Sequence, residues 1–140
     1  MADPIDVLRE RAQSNSFWRW IGVEVEDAGE GWCRLHLQVR DEMLNADGAP
    51  LHGSVYAALV DMATGGALAT TLEDSGGGVG QTTLDLNVSY IGSVSAGGVH
   101  AEGRILRRGR TIAFGEAKIT DDDGRLLAAG RATYMILTTR

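Results

Sequence analysis

The sequence predicts an α+β domain in which one long central helix is wrapped by a curved, mostly antiparallel sheet of about six strands. Three observations carry this expectation. One apolar stretch, residues 54–72, reads as a long helix. Period-two alternation of apolar and polar residues flanks it, in two segments before and four after. Glycine makes up 19 of 140 residues with only 2 prolines, about twice the usual share of roughly 7%, and no Gly-X-Y repeat is present. That excess implies tight turns and close backbone approaches, which glycine allows at an entropic cost. A chain of 140 residues has room for one core and no second catalytic module.

Taken in order, Asp3 and Pro4 read as a helix cap and first helical position, with Ile5, Leu8 and Ala12 on one face. They define an N-terminal helical segment over residues 1–15, ahead of a single domain over 16–140. Phe17, Trp18, Trp20 and Ile21 form an apolar cluster expected to cover the core or an interface. Val23 and Val25 alternate with Glu24 and Glu26, and beyond a turn at Gly29–Gly31, Cys33, Leu35, Leu37 and Val39 alternate with Arg34, His36, Gln38 and Arg40. A hairpin follows from that pattern. Residues 41–53 are loop-like, with Asp47-Gly48 and Pro50 as turn signals.

In the long helix Val55, Leu59, Met62 and Leu68 are interleaved with Ala57, Ala58, Ala63, Gly65, Gly66, Ala67 and Ala69. So many small residues suit a helix enclosed by a sheet. After a Gly76–Gly78 linker, Leu84, Leu86, Val88 and Tyr90 alternate with polar neighbours, and Val99, Ala101 and Ile105 lead to a turn at Gly109. Ile112 and Phe114 open the next strand. Asp123-Gly124 marks a hairpin, and Leu127, Ala129, Thr133, Met135 and Leu137 are expected to share one face of the last strand. Such a sheet leaves open edges, so self-association is expected.

Net charge is 13 − 19 = −6, which disfavours a general nucleic-acid binder. Between Asp41 and Glu102 there are eight acids and no Lys or Arg, whereas residues 104–140 hold eight bases and four acids. Within that basic end, Arg104, Arg107, Arg108 and Arg110 suit either a phosphorylated ligand or a charge-guarded hairpin edge. No apolar run is expected to span a membrane. Cys33 is the only cysteine, which excludes an intrachain disulfide and a cysteine metal cluster and fits a reducing compartment. No targeting pattern is visible, so a cytoplasmic location is expected. His36 and His100 fall on polar strand faces without a partner at metal-ligand spacing. Asp121–Asp123 lacks the other ligands of a calcium loop, and Gly76–Gly78 lacks the strand-before, helix-after context of a phosphate loop. No metal and no cofactor are expected.

Chemistry concentrates in the stretch from Asn45 to Ser54 and in Asp61. Ser54 and Asp61 lie two turns apart on one helical face with Ala57, Ala58, Gly65 and Leu68. A carboxylate among such neighbours is expected to be buried, and burial raises its pKa and makes it a better base. The plainer alternative is an aspartate that hydrogen-bonds a loop. Unpaired N–H groups near Gly53, at the positive end of the helix dipole, suit a carbonyl or oxyanion, and glycine leaves the approach open. His52 beside it would donate to the substrate or hold the loop.

His52-Gly53-Ser54, Asp61 within Val60-Asp61-Met62-Ala63, the run Thr83 to Tyr90, Arg108-Gly109-Arg110, and Asp123-Gly124-Arg125-Leu126-Leu127-Ala128 together resemble the hotdog-fold acyl-CoA thioesterases of the phenylacetate-degradation type. The likeness runs from about residue 17 to the C-terminus. It implies a helix "sausage" in a sheet "bun", a homodimer with a continuous sheet, commonly a tetramer of two such dimers, and two sites per dimer built from both subunits. In such enzymes the helix carboxylate, here Asp61, attacks the thioester carbonyl or activates water. The N–H after the loop histidine, here Gly53, polarises the carbonyl, and a hydroxyl early in the next strand, here Thr83, helps position water.

Two departures stand out. Ser54 replaces the second glycine of the usual His-Gly-Gly and can cap the helix. The family's asparagine six residues before the histidine is Ala46, with Asn45 one residue earlier. The resemblance further implies an acyl-CoA substrate whose nucleotide phosphates meet Arg104, Arg107, Arg108 and Arg110. Its pocket would involve Ser54, Tyr56, Leu59 and the Trp18–Trp20 cluster. A hotdog hydratase or dehydratase pairing His52 with Asp61, and a non-catalytic acyl-CoA-binding module, are the competing readings.

Overall fold

The computed structural model of the chain describes residues 2–72 and 78–138. Asp3 accepts the Ile5 N–H at 3.1 Å and Pro4 opens α1 (Pro4–Ser14), the arrangement expected where a first-turn donor needs a side-chain acceptor. Asn15 closes α1 and caps the following turn, its Oδ1 accepting from the N–H groups of Phe17 and Trp18. The aromatic cluster therefore forms α2 (Ser16–Ile21), which ends at Gly22 with φ 88°. Trp18 and Ile21 enter the core while Phe17 and Trp20 stay exposed.

The expected hairpin is β1 (Glu24–Gly29) and β2 (Trp32–Gln38). A short 3₁₀ turn, Asp41–Met43, and a loop lead to α3 (Gly53–Leu72), one residue longer at its start than the sequence suggests. Four strands follow: β3 (Gly78–Tyr90), β4 (Gly98–Arg108), β5 (Ile112–Asp121) and β6 (Leu126–Thr138). They join one antiparallel sheet in the order β1-β2-β4-β5-β6-β3, and α3 packs against one face of it, touching every strand from β2 to β6. This is the hotdog arrangement.

The helix lies very close to the sheet. A Cβ placed on Gly103 of β4 would stand 2.2 Å from the Ala63 carbonyl oxygen, so only glycine fits there. Cys33 Sγ donates to the same carbonyl at 3.2 Å; burial pushes its thiol pKa up to about 12, so it packs as a small apolar group. Ala101, Ala113, Ala117 and Ala132 pave the rest of the contact. By length and apolarity α3 would suffice to cross a membrane, which corrects the expectation that no stretch does; in this fold it is mostly buried by the sheet.

Three further expectations change. Gly78 and Gly80 belong to β3 rather than to a linker, and Gly76 and Gly77 lie outside the described residues. On β6 Leu127 is fully buried as expected, but beyond it the inward residues are Ala132, Tyr134 and Ile136, whereas Met135 and Leu137 are 40% and 43% exposed. The register explains this: β5 pairs Ala113 with Tyr134 and Gly115 with Ala132, and that face meets α3, where Ala132, the partnered hydroxyl of Tyr134 and Ile136 fit. Leu84, Leu86 and Tyr90, the regular apolar face of β3, are exposed as well, because β3 is an edge strand paired only with β6.

Gly103→Ala is expected to lower unfolding stability by about 2–3 kcal/mol, as overpacking against backbone does. Gly80→Ala, whose added Cβ meets only Leu137 Cδ1 at 3.8 Å, should stay within about 0.5 kcal/mol of the parent. Urea denaturation of the two variants measures the difference.

Candidate active site

Asp61 sits midway along α3, half-buried, with its carboxylate turned towards β3 and β6. The register of these strands sets Thr83 directly opposite Tyr134, so one cross-strand pair presents two hydroxyls to one carboxylate. Thr83 Oγ1 donates to Asp61 Oδ1 at 2.8 Å and Tyr134 donates to the same oxygen at 2.8 Å. The Tyr134 hydroxyl also lies 2.7 Å from the Asp61 carbonyl and 2.5 Å from Thr64 Oγ1. Thr64 Oγ1 in turn reaches the Val60 carbonyl at 2.7 Å. Burial first, and the Asp61 charge after it, push the Tyr134 pKa far up against the opposing Thr64 bond. Tyr134 therefore keeps its proton and acts as a donor.

With Oδ1 held from two sides, Oδ2 has no hydrogen-bond partner among the described residues. Asp61 lines a cavity of about 340 Å³ together with Arg11, Trp18 and Gln81. Burial lowers the Arg11 pKa, and its guanidinium lies 5.8 Å from the centre of the Trp18 ring. Gln81 Nε2 donates to the Gly65 carbonyl at 2.7 Å, leaving its Oε1 buried and without a partner among the described residues. Tyr134, Arg11 and Gln81 were not singled out in the sequence. Only Tyr134 offered a signal, since a tyrosine on an inward strand position needs a partner for its hydroxyl.

The start of α3 is organised differently. His52 Nδ1 accepts the Ser54 N–H at 3.0 Å and lies 2.7 Å from Ser54 Oγ, while the Val55 N–H bonds the His52 carbonyl at 3.0 Å. His52 is thus the helix cap, and its neutral ring carries the proton on Nε2. The Gly53 N–H takes no bond from this cap and has no acceptor among the described residues. His52 and Ser54 line an adjoining apolar cavity of about 490 Å³ with Trp20, Met43, Leu44 and Val55. The two cavities share Phe17 and Ala58.

Several expected residues are not brought to Asp61. Asn45 closes its own loop, with Nδ2 donating to the Pro50 carbonyl at 3.0 Å. Tyr56 is 3% exposed and packs edge-on to Tyr90 at 6.1 Å, so it belongs to the core rather than to a pocket. Arg107 and Arg108 end β4 and Arg110 lies in the following turn, whereas Arg104 is drawn to Glu102 at 3.4 Å on the sheet surface. His52 and Asp61 line separate cavities, which leaves the pairing needed for hydration unformed within the chain. His36 and His100, expected to lack partners, are directly paired across β2 and β4 with ring centres 5.2 Å apart.

A helix carboxylate with one oxygen anchored and the other without a partner among the described residues, beside a cavity lined by both polar and apolar side chains, suits attack on an acyl carbon or activation of water. Residues 50–128, which contain Gly53, Asp61, Thr83 and the β4–β5 hairpin, match the family model described as the thioesterase superfamily. The chain belongs to that superfamily.

A Saccharolobus solfataricus protein named as an esterase is 28% identical over 141 residues, covering 100% of this chain and 97% of the relative. The 1,4-dihydroxy-2-naphthoyl-CoA hydrolase of Listeria monocytogenes is 28% identical over 120 residues, 86% of this chain and 94% of that enzyme. A solved structure from the thioesterase superfamily superposes with TM-score 0.87 at 30% identity, over 96% of this chain and 98% of that one. The PaaI protein of the E. coli phenylacetic acid degradation operon shares the fold, with TM-score 0.84 at 14% identity over 96% and 93% of the two chains. Membership of the thioesterase superfamily makes this chain a hydrolase of the thioesterase kind.

Tyr134→Phe removes one of two donors to Asp61 Oδ1 without changing ring shape. A hydrogen bond to a charged group contributes about 1.5–3 kcal/mol, so kcat for thioester hydrolysis should fall roughly 10- to 100-fold with KM little altered. Steady-state kinetics beside Thr83→Val, expected to show the same pattern, checks this.

Proposed function

We propose that this chain hydrolyses acyl-CoA thioesters to the free acid and coenzyme A, with Asp61 as the nucleophile or general base. The observation that carries the reading is the asymmetry of the Asp61 carboxylate: Oδ1 accepts two hydroxyl protons, Oδ2 has no partner among the described residues, and Asp61 lines the cavity. A thioester requires little acid assistance, because the thiolate is a good leaving group. One oriented carboxylate and one N–H aimed at the carbonyl oxygen therefore suffice. The C–S bond breaks, a C–O bond forms to Oδ2 or to a water it deprotonates, and the departing thiolate takes up a proton. Water completes the acid directly in the second case and by hydrolysing the acyl–Asp61 anhydride in the first.

The N–H in this reading is that of Gly53, and helix geometry requires it to come from a second copy. Gly53 and Asp61 are eight residues apart, about 12 Å along the axis at roughly 1.5 Å per residue, too far to grip one carbonyl within one chain. The open edge of β3, with Leu84, Leu86, Tyr90 and Ile91 exposed, supports pairing with a second β3 in a symmetric homodimer. Phe114, Met135 and Leu137, exposed on the sheet surface, support association of two such dimers. Arg107, Arg108 and Arg110 at the β4–β5 tip would meet the nucleotide phosphates, and the apolar cavity beside Trp20 would take the acyl group. With one buried thiol and no disulfide, the reading extends to a cytoplasmic enzyme.

Purified protein is expected to release free thiol from a panel of aryl- and straight-chain acyl-CoA substrates. Asp61→Asn should lower kcat about 10²- to 10⁴-fold while the oligomer elutes unchanged; retained turnover would overturn the role of Asp61, and tight acyl-CoA binding without turnover by the parent protein would favour a binding module. Leu86→Arg should shift the protein to a monomer in size-exclusion chromatography and abolish hydrolysis with the monomer still folded by circular dichroism.

A further inference from the structure

On the face of the sheet away from α3, three strands and a turn converge on a second cluster. β2 and β4 pair His36 directly with His100. Asp122, in the β5–β6 turn, lies with Oδ1 2.8 Å from His100 Nε2, and one donor atom from each of His36, His100 and Asp122 falls within 4.8 Å of the others. Glu26 Oε1 bonds the opposite ring nitrogen, His100 Nδ1. None of these residues serves the site at Asp61.

We propose that His36, His100 and Asp122 form a binding site for one divalent transition-metal ion of the zinc class, with Glu26 holding His100 from behind. Two imidazoles and a carboxylate are a donor set suited to zinc, cobalt or nickel rather than to calcium or magnesium, which prefer oxygen. Metal–ligand bonds of about 2.0–2.2 Å place tetrahedral donor atoms about 3.3–3.5 Å apart. Ion binding would draw the three donor atoms, now within 4.8 Å of one another, to that spacing, exchanging the His100–Asp122 hydrogen bond for two metal bonds and releasing the Nε2 proton to solvent. Three protein ligands leave the fourth position to water.

Three features favour a built site over a chance grouping of surface side chains. Glu26 is the extra residue of a bulge in β1, where the register slips between Val25 and Asp27; bulges re-aim single side chains. Both His100 nitrogens meet carboxylates; an ion displaces the Nε2 proton, and the Nδ1–H bond to Glu26 then holds the tautomer that presents Nε2, the carboxylate–histidine–metal arrangement of many zinc sites. Asp122 is oriented in turn by the Gly98 N–H, which donates to Oδ2 at 3.0 Å and leaves Oδ1 for the ion.

Gly98 supplies the third feature. Its φ is not in the left-handed region, so the backbone does not demand glycine. A Cβ at this position would stand 2.6 Å from His36 Nε2 and 2.7 Å from Asp122 Oδ1. The missing side chain is what keeps the space between the two prospective ligands free.

Tag-free, chelator-treated protein titrated calorimetrically with ZnCl₂ should bind one equivalent per chain, and Co²⁺ should give the visible absorption of a tetrahedral site. His36→Ala and His100→Ala should each weaken zinc binding by at least about tenfold, Glu26→Gln by about 10- to 100-fold. Gly98→Ala removes no ligand, yet its methyl occupies the ion's place, so it should weaken binding like a ligand loss. Circular dichroism confirms the fold of each variant, and zinc should raise the melting temperature of the parent but not of His36→Ala/His100→Ala. Absence of stoichiometric binding to the parent, binding unchanged in the double variant, or full affinity in Gly98→Ala would overturn the proposal.

Discussion

The distance between α3 and the sheet is the constraint on which the rest of this structure depends. Ala63, the point of closest approach to Gly103, stands between Met62 and Thr64, two residues past Asp61. Seating the helix backbone against β4 therefore sets the depth of Asp61 as well. A helix held further out by even one methyl would carry the carboxylate away from Thr83 and Tyr134, whose hydroxyls reach it at hydrogen-bond length only because the helix lies so low. The small residues of α3 and of the strands beneath it are usually a poor hydrophobic investment per residue. Here they trade apolar area for nearness, and nearness positions the chemistry.

That trade was largely legible in the sequence. The alternation of Cys33, Leu35 and Leu37 identified an inward face because both neighbouring layers impose it, and the turn at Asp123-Gly124 was explicit, with Gly124 at φ 82°. The parity of β6 was not legible. Met135 and Leu137 are large apolar residues, and size alone pointed them inward; the space under α3 takes Ala132, Tyr134 and Ile136 instead. An aromatic with a partnered hydroxyl outranked two better hydrophobes because the cavity beside it contained a carboxylate.

The site divides in the same manner. Asp61 and Gly53 were candidates from their residue types and their places on the helix, whereas Thr83 was named only through the family resemblance; the fold sets its hydroxyl on Asp61. Asn45 and Tyr56 had suitable chemistry but are consumed by local demands, the first by closing its loop on Pro50 and the second by packing against Tyr90. Tyr134, Arg11 and Gln81 come from elements distant in sequence, and nothing in one-dimensional spacing brings them together. The pairing of His36 with His100 is the same kind of fact: a strand register 64 residues across the chain, invisible until the sheet forms.

One residue at the entrance has a reach beyond its size. Asn15 donates its backbone N–H to Arg11 and takes the N–H groups of Phe17 and Trp18 on its side-chain oxygen. Arg11, Phe17 and Trp18 all border the cavity beside Asp61. The two walls of that entrance are thus jointed at a single amide, and the gape between them is a property of the joint rather than of a mobile loop. The width of the cavity beside Asp61 is therefore tied to the angle between α1 and α2, and a change at Asn15 would reshape it without touching the sheet behind.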